Sequence, residues 1–179
     1  MPSHKKKISH YFGDQKARYL LATEGDRPLL VIGLNPSKAD AQRSDQTFSK
    51  VLGFAERAGY DGIIMANLYP QRATQPSKLH LHKNTRLHQQ NLFHLEAILQ
   101  RYPGISILAA WGANLEKRKY LTACLQDIDT LSQKYACKWL QIGSLTKKGH
   151  PRHPSRTAYS QALSAFDLGH YIQHHTANT

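Results

Sequence analysis

Short apolar runs that alternate with segments of helical spacing constrain the fold of this chain more than any other feature. The runs lie at residues 29–34, 62–66, 105–110 and 138–143. Runs of this length between turn residues are typical of strands buried on both faces of a parallel sheet. Apolar residues recur at helical spacing over 46–57, 87–100, 115–134 and 157–168. This alternation predicts an α/β fold, a three-layer sandwich with a central, mainly parallel sheet.

The ends of the chain are predicted to lie outside one α/β domain that spans residues 16–170 and begins with a short strand at 18–21. Residues 1–15 are predicted to be a basic, flexible tail, and residues 171–179 a frayed C-terminal tail. No apolar run approaches the roughly 20 residues that a membrane helix needs. The basic N-terminus lacks the apolar stretch of a secretory signal. We therefore expect a monomeric, cytoplasmic protein with no membrane partner.

The chain is strongly basic, with 24 Lys and Arg residues against 12 Asp and Glu residues and a formal net charge of +12. A small basic domain often binds a polyanion, most often nucleic acid. The alternative is a charged surface that only keeps the protein soluble, and composition does not choose between the two. The two cysteines, Cys124 and Cys137, are too few for a disulfide scaffold or an all-cysteine metal site and are predicted to be buried thiols.

Polar residues follow the predicted strands, at the sheet edge where α/β proteins bind ligands. Asn35, with Pro36 and Ser37, ends the run at 29–34, and Asn67 ends the next. The Asn35 carboxamide can orient a water molecule, and the Asn67 amide can hydrogen-bond the edge of a nucleobase. The alternative for each side chain is that it only makes hydrogen bonds within its own turn. The sequence around Asn35 lacks the glycine patterns of dinucleotide and P-loop sites, which disfavours those functions.

Two acids and two aromatic residues are further candidates near this edge. The position of Asp45 just before a predicted helix favours its interpretation as the N-cap of that helix. Pairing with Asp40 in a metal site is the alternative, but no acid at the other strand ends completes an oxygen-rich shell. Phe48 and Tyr69 could stack on a base, although each is more typical of core or wall.

The basic segment after the last predicted strand is the richest in chemical groups. Its candidates for contact with a nucleic-acid backbone are Lys147, Lys148, Arg152, Ser155 and Arg156. His153 can stabilise developing negative charge on a reacting group. The alternative is a solvated basic loop. Histidines also occur at positions 80, 82, 88 and 94, but their spacing gives no coherent ligand set. No metal or cofactor is predicted.

Four segments resemble motifs of the uracil-DNA glycosylase superfamily, especially its mismatch-specific and single-strand-selective branches. They are Gly33-Leu34-Asn35-Pro36-Ser37, Asn67-Leu68-Tyr69, Ala109-Ala110-Trp111-Gly112-Ala113 and His153-Pro154-Ser155. A second resemblance, over most of the chain, is to a family of bacterial and phage domains of unknown function. Its motifs are Asn35-Pro36-Ser37-Lys38-Ala39-Asp40, Asp45-Gln46-Thr47, Asn67-Leu68-Tyr69 with Arg72-Ala73-Thr74, Trp111-Gly112 and Lys148-Gly149-His150-Pro151-Arg152-His153-Pro154.

The glycosylase resemblance implies a uracil-DNA-glycosylase-like fold and hydrolysis of the N-glycosidic bond of a damaged or modified base in DNA. Asn35 would position a water molecule, His153 would stabilise the departing base, and Asp40 or Asp45 would act as the general base. A flipped nucleotide would stack on Phe48 or Tyr69, with Asn67 on its polar edge and Ser37 beside it.

Two residues depart from the glycosylase motifs. Ser37 stands where these branches usually have Gly, and Arg156 where a Pro or a small residue is common. Two alternatives therefore stay open. One is a non-catalytic nucleic-acid or nucleotide binding module of the same fold. The other is a hydrolase or transferase that acts on free nucleotides through Asp40 and Asp45.

Overall fold

A computed structural model describes residues 7–37 and 46–176, and within them a seven-stranded mixed sheet forms the centre of the molecule. The strands are β1 (Ile8–Gly13), β2 (Arg18–Thr23), β3 (Pro28–Gly33), β4 (Gly62–Asn67), β5 (Ser106–Ala109), β6 (Lys138–Ile142) and β7 (Leu163–Ala165). Their spatial order is β1-β2-β4-β3-β5-β6-β7. The four central strands β4, β3, β5 and β6 are parallel. The flanking strands β1, β2 and β7 are antiparallel to their neighbours.

Helices cover both faces of this sheet. They are α1 (Gln46–Arg57), α2 (Thr85–Arg101), α3 (Tyr120–Lys134) and α4 (Leu168–Thr176). Alternate residues of β3 point to opposite faces, as the period of a strand requires. Leu29 and Val31 pack in the core beneath α1, whereas Leu30 and Ile32 pack in the core beneath α2, α3 and α4. The α/β prediction with a sheet that is mostly parallel in its centre is thus confirmed. None of the helices in the described ranges is long and apolar enough to cross a membrane.

The strand order reverses at β3, and this reversal positions the site. The chain passes from β3 to β4 through α1 on one face, then from β4 through α2 on the other face to β5, on the opposite side of β3. The connections that leave β3 and β5 therefore diverge, which opens a crevice at the carboxyl ends of the strands.

The predicted N-terminal tail is wrong for residues 8–13, which form β1 at one edge of the sheet. A turn at Asp14 returns the chain to β2, because the Asp14 carboxylate accepts hydrogen bonds from the backbone N–H groups of Lys16 (2.7 Å) and Ala17 (2.8 Å). These bonds hold the pKa of Asp14 below its usual value. At the other end, residues 171–176 belong to α4, and Tyr171 is buried.

The helix predicted over residues 157–168 is also wrong. A short 3₁₀ turn (Pro154–Arg156) and a loop precede β7, which pairs with β6 and covers that edge of the sheet. The apolar residues whose spacing suggested a helix lie instead in the edge strand β7 and at the start of α4. The helix predicted over 115–134 begins only at Tyr120, after a 3₁₀ turn at Gly112–Lys117.

Candidate functional site

A cleft of about 340 Å³ lies at the carboxyl ends of β3, β4 and β5, where the strand order reverses. Volumes of this order are typical of small-ligand sites. Its polar lining includes Arg18 at the start of β2, Asn35 and Ser37 after β3, Asn67 at the end of β4, and His153, Ser155 and Arg156 after β6, together with Thr47, Thr74 and Asn114. Trp111 and Gly112, after β5, complete the wall.

The Asn35 side chain is fixed by two hydrogen bonds that its amide nitrogen donates. Asn35 Nδ2 donates hydrogen bonds to the carbonyl oxygens of Ala73 (2.8 Å) and Pro36 (3.1 Å). The Ala73 backbone N–H in turn donates to Pro36 O at 3.2 Å, so the two segments are joined twice. Both donors of the amide are therefore used by the protein, and the role left to the side chain is that of its carbonyl oxygen, an acceptor. An acceptor fixed in this way can orient a water molecule or bind a donor of a ligand.

Asn67 is buried at the end of β4, with only 4% of its surface exposed. Its backbone oxygen accepts a hydrogen bond from Asn91 Nδ2 of α2 at 2.9 Å. Its side-chain nitrogen, Nδ2, is buried and makes no hydrogen bond to any other residue in the described part of the chain. A buried donor left in this state is costly, and such groups in proteins usually have a partner. Because Asn67 lines the cleft, a bound ligand with an acceptor atom would supply that partner.

His153 is oriented by the turn that follows it. Its Nδ1 lies 2.7 Å from Ser155 Oγ and accepts a hydrogen bond from the Ser155 backbone N–H at 3.3 Å. Because a backbone N–H can only donate, Nδ1 is the acceptor, and the proton of the neutral ring is assigned to Nε2. His153 therefore offers an N–H donor. Gly112 has a φ of +67°, so a side chain there would strain the backbone beside His153.

Arg18 is a charged cleft residue that sequence reasoning missed. It is only 2% exposed, and its guanidinium adds a permanent positive charge to the lining. Because β2 runs antiparallel to β4, the first residue of β2 lies at the edge where β4 ends. An arginine at the start of a mostly apolar strand was the available signal. Its location depended on the direction of β2, which the sequence pattern did not indicate.

Two aromatic candidates lie in the core rather than in the cleft. Tyr69 is fully buried, and its hydroxyl lies 2.8 Å from His80 Nδ1 and accepts a hydrogen bond from the backbone N–H of Asn84. Phe48, on α1, is 2% exposed and packs against the sheet. The structure therefore does not bring either ring to a position where a base could stack on it. Asp40 and Asp45 lie outside the described residues.

The basic loop after β6 divides into two parts. Ser155 and Arg156 line the cleft, together with His153. Lys147 and Lys148 are exposed but do not line it, and Arg152 is tied to the Ser144 carbonyl through its Nε at 2.7 Å. Only part of the predicted backbone-contact set thus reaches the cleft.

Cys124 is buried, and burial raises the pKa of its thiol to about 12.

A hydrogen-bond chain that is buried except at its Glu116 end supports the back of the cleft, and sequence reasoning did not find it. Trp111 Nε1 donates to the Tyr171 hydroxyl at 3.0 Å, and this hydroxyl lies 2.8 Å from His150 Nδ1. His150 Nε2 then lies 2.9 Å from Glu116 Oε1. This contact with His150 holds the pKa of Glu116 below its usual value, while burial raises the pKa of Tyr171. These hydrogen bonds connect α4 to the segments after β5 and β6, which border the cleft.

The fold and site define an α/β protein with a polar, partly cationic cleft at the switch point of a mostly parallel sheet. Residues 18–155 match the family described as "Protein of unknown function (DUF1643)", and the chain belongs to that family. This finding agrees with the resemblance to a family of unknown function. No curated protein and no solved structure matches the chain.

Proposed function

We propose that this protein binds DNA, admits one damaged or modified nucleobase to the cleft and hydrolyses its N-glycosidic bond. The observation that carries the proposal is the convergence of Asn35, Asn67 and His153 from three separate segments on one cleft. They offer a fixed acceptor for water, a buried donor for the base and an N–H for a departing anion. The motif resemblance to uracil-DNA glycosylases supports the same reaction.

In this reaction the bond between C1′ of the sugar and the base nitrogen breaks, and its electron pair leaves with the base. His153 Nε2–H donates a hydrogen bond to the developing anion, and Asn67 Nδ2 donates to an acceptor on the base edge. A water molecule held by Asn35 Oδ1 forms the new bond to C1′ and loses a proton. No Asp or Glu lines the cleft within residues 7–37 and 46–176. We assign the general base to Asp40 or Asp45, in the segment between those ranges.

A non-catalytic binding module of the same fold is the second candidate. Two observations favour it: the missing carboxylate in the described lining, and the burial of Phe48 and Tyr69 away from the cleft. The cleft would then hold a nucleotide through Arg18, Asn67 and Arg156 without breaking a bond.

Oligonucleotides that each carry one deaminated or alkylated base, scored for abasic sites, test the proposal. We expect abasic sites with the wild-type protein, and a loss of about 100-fold or more when Asn35 or His153 is replaced by Ala, because each acts on the reacting atoms. His82→Ala, an exposed histidine away from the cleft, is the matched control and should keep full activity. Binding without abasic sites on any substrate would instead support the binding module.

Salt dependence tests the nucleic-acid partner separately. Each neutralised phosphate contributes about −0.9 to the slope of log K against log salt for duplex DNA, or about −0.7 for a single strand. We expect Arg156→Ala to reduce this slope by about one such unit, whereas Asn67→Ala should weaken binding and leave the slope unchanged. Binding that is absent, or insensitive to salt, would refute the nucleic-acid proposal.

A further inference from the structure

Behind the cleft, Glu116, His150 and His175 form a cluster of three side chains whose ligand atoms all lie within 4.8 Å of one another. Glu116 comes from the 3₁₀ turn after β5, His150 from the loop after β6, and His175 from α4. Three elements that are distant in sequence thus direct a carboxylate and two imidazoles to one point. None of the histidines considered from sequence spacing belongs to this cluster.

The donor set fits a divalent ion of the zinc class. Zinc is bound by imidazole nitrogen and carboxylate oxygen at about 2.0–2.2 Å, so two ligands of one tetrahedral ion lie about 3.4 Å apart. On binding, His150 Nε2 and Glu116 Oε1, now 2.9 Å apart, would separate slightly, and the other ligand atoms, which lie within 4.8 Å, would move closer together. Two histidines with one glutamate leave a coordination position open for water or a small anion, as in three-ligand zinc sites.

The second observation is an unsatisfied nitrogen. His175 Nε2 is buried and makes no hydrogen bond to any residue in the described ranges. Its ring stacks on that of His150, with centroids 4.6 Å apart and planes 14° apart. The contact between His150 and Glu116 accounts for two members of the cluster, whereas the third, His175, has a backbone contact with Gly149 and an Nε2 that makes no hydrogen bond within the described residues. A metal ion would satisfy it.

His150 already has the surroundings of a ligating histidine. Metal-bound histidines usually donate their other ring N–H to an outer acceptor, which fixes the ring, so a metal at Nε2 requires that His150 Nδ1–H donates to the Tyr171 hydroxyl oxygen. Here Nδ1 lies 2.8 Å from the Tyr171 hydroxyl, which itself accepts a hydrogen bond from Trp111, and Nε2 is turned toward Glu116. Because His150 has no exposed surface, the ring is also held by packing.

We propose that Glu116, His150 and His175 form a binding site for one zinc-class ion, which fastens α4 to the two segments that border the cleft. The site stands apart from the proposed function, because none of its three ligands lines the cleft. Through His150 it would hold the loop that carries His153, and through Glu116 the turn that begins at Gly112. The ion's role is therefore structural, with an open position that a small anion can occupy.

Metal titration of the full, tag-free chain after treatment with a chelator tests the site. We expect one Co²⁺ per chain with visible absorption of a four- or five-coordinate ion, displacement of Co²⁺ by Zn²⁺, and a higher Tm with Zn²⁺. Glu116→Gln and His175→Gln, which preserve size, should each weaken binding at least about 10-fold and remove the Tm increase. Glu116→Gln keeps α4 intact, so its result does not depend on the stability of that helix.

His170→Gln is the matched control, since His170 is an exposed histidine on α4 outside the cluster. It should bind the ion as the wild type does. Failure of the wild type to bind one equivalent would overturn the proposal. Unchanged binding in both Glu116→Gln and His175→Gln would also overturn it, because the ion would then sit on other histidines. The oligonucleotide assay with Asn35 and His153 variants fails or succeeds independently of these results.

Discussion

At the scale of single residues, the orientation of Asn67 depends on the absence of a side chain on the neighbouring strand. Gly33 pairs with Asn67 in the parallel register of β3 and β4. A Cβ added at Gly33 would lie 2.8 Å from Asn67 Oδ1, closer than real Cβ contacts allow. The amide of Asn67 thus fills the space above Gly33. The buried donor of the cleft is therefore fixed by two residues on adjacent strands.

This contact predicts a measurable coupling between the two positions. Gly33→Ala should lower the free energy of unfolding by about 1–3 kcal/mol, because the added methyl group displaces a buried side chain. In the Asn67→Ala background the same change should cost much less, since the space above Gly33 is then vacant. Urea unfolding of the wild type, both single variants and the double variant gives a coupling energy, expected at about 0.5–3 kcal/mol. Additive effects would show that the amide does not occupy this space.

The site residues that the sequence could predict are those whose positions follow from strand ends alone. Asn35 and Asn67 end parallel strands, and the cleft lining contains both. Arg18 and Tyr69 show the limit of that reasoning. Arg18 reaches the cleft because β2 is antiparallel to β4, and Tyr69 packs in the core, where its hydroxyl contacts His80 and Asn84. Both outcomes depend on tertiary geometry that residue spacing does not contain.

At the scale of elements, an aromatic cluster attaches the N-terminal edge of the sheet to α2. The His94 ring of α2 stacks on Tyr19 of β2, with centroids 4.8 Å apart, and also contacts Phe12 of β1 and Phe93. Burial in this cluster lowers the pKa of His94 from its ordinary value of 6.5. The folded protein therefore binds a proton at His94 less readily than the unfolded chain does.

This lowered pKa predicts a loss of stability in acid. When the folded pKa of a histidine lies below the unfolded value, its stabilising contribution is full above about pH 6.5 and falls as the pH drops toward the folded pKa. Solvent screens the partly exposed ring, so we expect an effect of about 0.5 kcal/mol. His94→Gln should lose less stability than the wild type between about pH 7.5 and pH 5 in urea unfolding. His82→Gln is the control. An unchanged acid loss in His94→Gln would contradict this assignment.

The elements that the sequence predicted well are those buried on both faces or periodic over several turns. The central strands and α1 and α2 agree closely with their patterns. Residues 157–162 differ because side-chain contacts hold them as a loop. The Tyr159 ring lies between Lys50 Nζ (3.9 Å) and the Arg57 guanidinium (3.8 Å) of α1, above Gly53. The sequence pattern of residues 157–162 does not indicate a contact with a segment this distant in the chain.

At the scale of the whole molecule, the folding unit is longer than the region that defines the family. The family match covers residues 18–155, whereas the sheet begins with β1 at Ile8 and the last helix reaches Thr176. Three residues beyond the match, Phe166, Leu168 and Tyr171, are buried in the core shared with α2 and α3. Residue 155 also falls inside the turn that orients His153. The C-terminal segment is thus part of the core and of the support for the cleft.

A chain limited to residues 18–155 should therefore fail to fold, although a chain of residues 7–176 should unfold cooperatively. Burial of Phe166, Leu168 and Tyr171 contributes about 1.5–3 kcal/mol each, a large part of the roughly 5–15 kcal/mol that stabilises a typical domain. The short chain also loses β1, which covers the outer edge of β2, and β7, which covers the edge of β6. Thermal melts followed by circular dichroism compare the two chains, with Tyr171→Phe in the longer chain as a reference expected to lose about 1–3 kcal/mol, because it leaves the buried Trp111 N–H unpaired, but still to melt cooperatively. A cooperative melt of the short chain would show that the family region folds alone and that α4 is an accessory.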